Sequence, residues 1–108
     1  MPLAVGNTDG AFNGVTDITM LASPAAATQR MVKCITIHNR DTATVTVNVR
    51  KVVSGTPRII FRTTLDVGDT LIFDDEVTLD SNGSIHGFLA LAPATTNPDY
   101  TITYGDIT

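Results

Sequence analysis

The sequence predicts an all-β domain of about seven or eight short antiparallel strands, arranged as a sandwich or a barrel. Three observations carry this. Thr, Val and Ile dominate the composition, and such β-branched residues, stiff at χ1, fit a pleated surface. Apolar and polar residues alternate over several runs, which is the period of a half-buried strand. Turn residues interrupt these runs at short, regular intervals. The 108 residues suffice for one domain, and an apolar fraction of 43% argues against disorder.

From the N-terminus, residues 1–14 hold Gly6, Gly10 and Gly14 among Asn7, Asp9 and Asn13 and read as a flexible arm, with residues 15–108 as the β-domain. The arm's bulky residues, Leu3, Val5 and Phe12, have no periodic partners. Such a segment stays loose or docks on something else, which makes these three the candidate partner-binding residues. Val15 to Leu21 reads as an edge strand. Ala22 to Gln29, with Ser23-Pro24 ahead of three alanines, allows one helical turn. Ile35 and Ile37 alternate with Cys34, Thr36 and His38, and Val45, Val47 and Val49 alternate with Thr46, Asn48 and Arg50. With the polar Asn39-Arg40-Asp41-Thr42 between them, the two runs read as a hairpin.

Further strands are expected over Pro57 to Asp66, Thr70 to Phe73, Val77 to Leu79, Ser84 to Ala90 and Tyr100 to Tyr104. Pro57 is tolerable where the first residue of a strand need not donate. Ser54-Gly55-Thr56, Asp66-Val67-Gly68-Asp69 and Asp80-Ser81-Asn82-Gly83 are the turn signals. Ile59-Ile60-Phe61 and Gly87-Phe88-Leu89-Ala90-Leu91 are consecutive apolar runs. They suit strands covered on both faces, by a second sheet, an arm or another subunit.

Charge is partitioned along the chain. All seven basic residues lie between Arg30 and Arg62 with a single acid, Asp41, whereas residues 63–108 carry eight acids and no base. The pattern reads either as ion pairing between neighbouring strands or as a two-signed surface joining copies head to tail. A net charge of −4 excludes a sequence-independent grip on nucleic-acid phosphates. No apolar run reaches the roughly 18 residues a membrane-spanning helix needs. No secretory signal is visible at the start, so synthesis in the cytoplasm is expected. The single cysteine, Cys34, excludes an intrachain disulfide framework.

No motif for catalysis or cofactor binding stands out. Asp74-Asp75-Glu76 with Asp80 and Asn82 lacks the spacing of a calcium loop and reads as a solvated acidic turn. Cys34 and His38 sit four apart on a strand, about 13 Å at 3.3 Å per residue, too far to share a metal or form a nucleophile pair. His38 and His86 read as ordinary strand positions, since nothing in the sequence orients a base. Asp80-Ser81-Asn82 and Asp41-Thr42-Ala43 lack the glycine that an aspartic protease triplet requires. Gly6, Gly10 and Gly14 precede no helix and form no phosphate loop. With no Trp, two Tyr and four Phe, aromatic stacking surfaces for sugars or bases are scarce.

The order Arg30-Met31-Val32-Lys33-Cys34-Ile35-Thr36-Ile37-His38-Asn39-Arg40-Asp41-Thr42, then Val45-Thr46-Val47-Asn48-Val49, Leu65-Asp66-Val67-Gly68-Asp69-Thr70 and Val77-Thr78-Leu79-Asp80-Ser81-Asn82-Gly83-Ser84-Ile85, resembles small β-sandwich structural proteins of tailed bacteriophage virions. These are capsid decoration (cement) proteins and tail or fibre modules. The resemblance spans residues 16–104 and transfers no individual functional residue. It implies a virion location, many copies and no catalysis. The resulting expectation is a single antiparallel immunoglobulin-like β-sandwich that binds the outer capsid surface and cements adjacent subunits. Its partners would be the major capsid protein and copies of itself, with no cofactor, metal, nucleic acid, membrane or small-molecule substrate. A tail, baseplate or fibre module is the first alternative and a receptor- or carbohydrate-binding module the second.

Overall fold

The computed structural model describes residues 3–108, with side chains from Ala4 onward. Nine strands are present: β1 (Leu3–Ala11), β2 (Ile18–Leu21), β3 (Gln29–His38), β4 (Val45–Val53), β5 (Thr56–Leu65), β6 (Thr70–Phe73), β7 (Val77–Leu79), β8 (Gly83–Leu89) and β9 (Asp99–Ile107). They form two antiparallel sheets, one ordered β1-β9-β3-β6 with β7 also paired to β3, the other β2-β8-β4-β5. Among the described residues there is no helix.

The connectivity follows from one long folded ribbon. Its tip is the β4–β5 hairpin, closed by Ser54 (φ 50°) and Gly55 (φ 83°), the left-handed pair that a two-residue turn demands. Moving away from the tip, β3 pairs with β6, β2 with β8 and β1 with β9. Rolling this ribbon brings β9 against β3 and β8 against β4, which completes the two sheets. The all-β antiparallel sandwich expected from the sequence is thus found, with the strand order of a jelly roll in place of immunoglobulin-like connections.

The roll also corrects the expected β3–β4 hairpin. The two strands lie in opposite sheets, and Ile35, Ile37, Val45, Val47 and Val49 all point inward, at most 5% exposed, from the two sides of the core. Alternation reports which face is buried and does not report whether two such faces lie side by side or stacked. The deciding contact is at the corner. Asn39 is fully buried, and its Nδ2 donates to the carbonyls of Ala43 (3.0 Å), Leu65 (3.1 Å) and Asp66 (3.1 Å), while its Oδ1 accepts from the Asp41 amide (2.9 Å). One side chain thus ties the β3–β4 crossover to the β5–β6 crossover.

Asp41 holds the same corner to the 94–96 loop. Its carboxylate accepts the amides of Thr42, Ala94, Thr95 and Thr96 at 2.8–3.1 Å, and the Thr95 hydroxyl at 3.0 Å. Burial pushes its pKa up, but those four amides outweigh it and hold the carboxyl well below the usual carboxylate range.

Two further expectations change. Residues 25–28 form a turn, with the Thr28 amide on the Ala25 carbonyl at 3.2 Å and Ala27 at φ 62°, in place of a helical turn. Residues 3–11, expected as a loose arm, run as β1 along the whole of β9. The arm's glycines make this possible. Tyr104 and Tyr100 of β9 share the inward side with Ile102, and their rings cross beneath Gly6 and Gly10. A Cβ at Gly6 would lie 2.9 Å from Tyr104 Cζ, and one at Gly10 2.8 Å from Tyr100 Oη.

Candidate assembly surfaces

The three residues expected to bind a partner take different positions. Val5 is 75% exposed on β1. Phe12 is a correction: only 2% exposed, it packs edge-to-face on Tyr100 (ring centroids 5.9 Å apart) and beneath Gly87, where an added Cβ would meet it at 2.9 Å. It has no periodic partners in sequence because its partners come from β8 and β9. The backbone of Leu3 pairs with Ile107, and its side chain lies outside the described ones.

Most cations of the basic segment pair with acids from distant segments. Arg30 makes a two-pronged contact with Asp106 (2.8 and 2.9 Å) and lies 4.4 Å from the Tyr104 ring centre. Lys33 pairs with Glu76, Arg40 with Asp99 and Arg50 with Asp17. Four cations of the basic segment therefore meet acids from the two acidic segments, the neighbour-strand reading of the partition. Lys51 instead caps the Thr78 carbonyl at 2.8 Å. Arg58 and Arg62, both on β5 and both exposed, take part in no ion pair among the described residues.

The acidic turn is partly used in structure: Asp80 caps the Asn82 amide at 2.9 Å and Glu76 holds Lys33. Among the described residues no three His, Cys, Asp or Glu side chains come together as a metal site. Cys34 lies 3.7 Å from the Thr36 hydroxyl and His38 2.8 Å from the Thr70 hydroxyl, so the two face different neighbours. His86 differs from the expectation. Its Nδ1 meets Asp17 at 2.8 Å and its Nε2 meets the Ser84 hydroxyl at 2.9 Å, on the outer face of the four-stranded sheet. The Ser84-x-His86 spacing was visible in the sequence; Asp17, brought in from just before β2, was not.

Two long strands stand at sheet edges, β1 with nine residues and β5 with ten. An open edge presents unpaired N–H and C=O groups to any neighbouring strand. The larger exposed apolar side chains include Val5 and also Ile59 (54%), Ile72 (64%) and Leu91 (81%). Ile59 belongs to one apolar run and Leu91 ends the other. The cover expected over those runs is thus incomplete. Leu91 lines a recess of about 250 Å³ together with Ala43, Val45, Ala90 and Ala94.

No protein-family profile and no characterised protein sequence matches this chain. Solved structures do match it in shape. A chain of the acid-stable capsid of Helicobacter pylori bacteriophage KHP30 is similar over 98% of this chain and 93% of its own length, with a TM-score of 0.61 at 13% identity. A chain of the Bacillus endospore appendages, which form disulfide-linked pili, is similar over 96% and 85%, with a TM-score of 0.56 at 13% identity. The tobacco streak virus coat protein is similar over 96% and 87%, with a TM-score of 0.51 at 12% identity. At these identities the likeness is one of fold.

Proposed function

We propose that this chain is a structural protein of a bacteriophage virion: a decoration module that sits on the outside of the shell and ties neighbouring capsid subunits together. The observation that carries the reading is the two-way coverage with the KHP30 capsid chain. Because each chain spans nearly all of the other, the similar chain is itself a single sandwich of about this size, not a domain of a larger shell subunit. The partners proposed are the major capsid protein and other copies of this chain, with assembly on the virion after synthesis in the host cytoplasm.

The mechanism rests on surfaces. Edges β1 and β5, the exposed Val5, Ile59 and Leu91, and the free cations Arg58 and Arg62 supply many small contacts. Each is weak, but repetition over a closed lattice multiplies them, as linked binding sites do. A net charge of −4 suits the outer face of a particle better than a face against packaged DNA. A second reading, a tail or fibre module built from stacked copies, is favoured by the similarity to a pilus-forming chain. The test is the copy number per purified particle, by quantitative mass spectrometry against the major shell protein. Hundreds of copies support the decoration reading; a few to a few tens support the tail reading instead. Absence from the particle removes both.

A further inference from the structure

We propose that Ser84 is an activated nucleophile, with His86 as its general base and Asp17 as the residue that orients that base, and that it accepts an acyl group from small activated carboxylic esters. The three groups are in line: Ser84 Oγ to His86 Nε2 is 2.9 Å, and His86 Nδ1 to Asp17 Oδ2 is 2.8 Å. A carboxylate only accepts, so the proton of the neutral imidazole sits on Nδ1. Nε2 is then a bare lone pair, and the Ser84 hydroxyl must donate to it. This is the arrangement in which a histidine takes a serine proton and a carboxylate stabilises the imidazolium that forms.

The surroundings reinforce the arrangement. Ser84 and His86 share the outer face of β8, while Asp17 reaches in from just before β2, whose Thr19 lies directly opposite His86. On the other side Arg50 of β4 lies opposite His86 and donates to the second oxygen of Asp17 at 2.8 Å. Burial raises the Asp17 pKa, but the bonds from Arg50 and His86 outweigh it and keep the carboxylate ionised below its ordinary value. Arg50 in turn is steadied 4.8 Å from the ring centre of Phe88. Asp17, Arg50, Ser84 and Thr19 are the polar groups facing the imidazole. Ser84 and His86 are half-buried, so solvent-borne reagents reach them.

In the reaction, Ser84 Oγ bonds to the ester carbonyl carbon as its proton passes to His86 Nε2. The tetrahedral adduct collapses with loss of the alkoxide or phenoxide, which takes that proton, leaving acyl-Ser84 and a neutral imidazole. The probe is p-nitrophenyl acetate on the whole chain, with acetylated peptides located by mass spectrometry. General-base assistance contributes about 10²-fold or more, so Ser84 is expected to acetylate about 10² times faster than the exposed Ser23, Ser54 and Ser81. His86→Gln should bring Ser84 down to their rate and Asp17→Asn should slow it, with thermal melts checking that each variant folds. On the unmodified chain, the Ser84 rate should track the deprotonated fraction of His86 followed by NMR. If these three side chains only fasten β8 to β2, the variants lower the melting temperature without a selective effect on Ser84. Equal rates at all four serines, or a Ser84 rate indifferent to the His86 titration, overturns the proposal.

Discussion

Replacing Asn39 with alanine should cost this fold heavily, and the size of the loss follows from the contacts. The variant keeps the backbone bonds of residue 39, from its amide to Asp69 and to its carbonyl from Gly68. It loses four side-chain bonds, of which two, to the Leu65 carbonyl and from the Asp41 amide, are fully buried and two are partly buried. At about 1.5 kcal/mol for each buried group left unpaired and about 0.5 for each that water can reach, the loss is about 4 kcal/mol. For a domain of this length, that lowers the melting temperature by roughly 15–30 °C. Thermal melts by circular dichroism, with urea melts at unchanged slope, measure it. Asn39→Asp keeps the acceptor for Asp41 but turns a carboxylate toward three carbonyls. It should be at least as damaging at neutral pH and partly relieved near about pH 4, where the side chain is protonated. A loss below about 1 kcal/mol for Asn39→Ala would show that the two crossovers hold without their shared clamp, and the account of why β3 and β4 part into separate sheets would fail with it.

Other outcomes follow from the same geometry. Phe12→Ala empties a core position and should cost about 3–5 kcal/mol in chemical denaturation, where a docking residue on a loose arm would cost nothing. Gly87→Ala would set a Cβ 2.5 Å from Met20 Sδ and 2.9 Å from Phe12, and overpacking of this kind costs about 1–3 kcal/mol by the same measure. Asp41 has a lowered pKa in the folded state, so its contribution is complete above the unfolded carboxylate value of about 3.9 and fades as pH falls below it. Melting temperature should therefore drop through that acid range, and Asp41→Asn, already destabilised at neutral pH, should show a flatter pH profile. Gly10→Val should loosen β1 from Tyr100, read as faster hydrogen exchange of the β1 amides with the β4 and β8 amides unchanged.

Local pattern made most strands legible. Thr70–Phe73 and Val77–Leu79 are found as read, β5 and β8 are displaced by one residue, β2 is shorter than expected and β9 longer. Each of these runs alternates or is bracketed by Gly, Asp or Asn turns, which are local signals. The pairings were another matter. Asn39 looked like turn chemistry, yet its amide reaches carbonyls at residues 65 and 66; no local pattern separates a turn that reverses a strand from one that changes sheet. The first strand was hidden for a related reason. Gly6 and Gly10 weaken any strand signal by themselves, and their use appears only when Tyr104 and Tyr100 are laid across them. Likewise the Asp17–His86 contact joins residues 69 apart.

The proposed surface role would leave only a faint mark on this sequence. The charge partition is its most visible irregularity, and internal contacts use most of its basic side: Arg30, Lys33, Arg40 and Arg50 each reach an acid from outside their own segment. Subtracting those pairs, and Lys51, which donates to the Thr78 carbonyl, leaves Arg58 and Arg62, both on the edge strand β5, and Ile59 lies exposed between them. Isolated edges in monomeric proteins are commonly shortened, bulged or charged to discourage pairing. β5 has the charge and a bulge opposite Val49–Arg50, yet it keeps ten residues and an exposed apolar side chain. Two like charges on one strand oppose β5 pairing with a second β5 and favour a strand or rim of opposite sign. An acidic edge on a neighbouring subunit is therefore the complement this strand would select, which ties the proposed role to a specific feature of the chain. If the proposed virion role holds, Arg58→Glu with Arg62→Glu should release the chain from particles at salt concentrations the native protein withstands, without lowering its melting temperature, because neither arginine holds the fold.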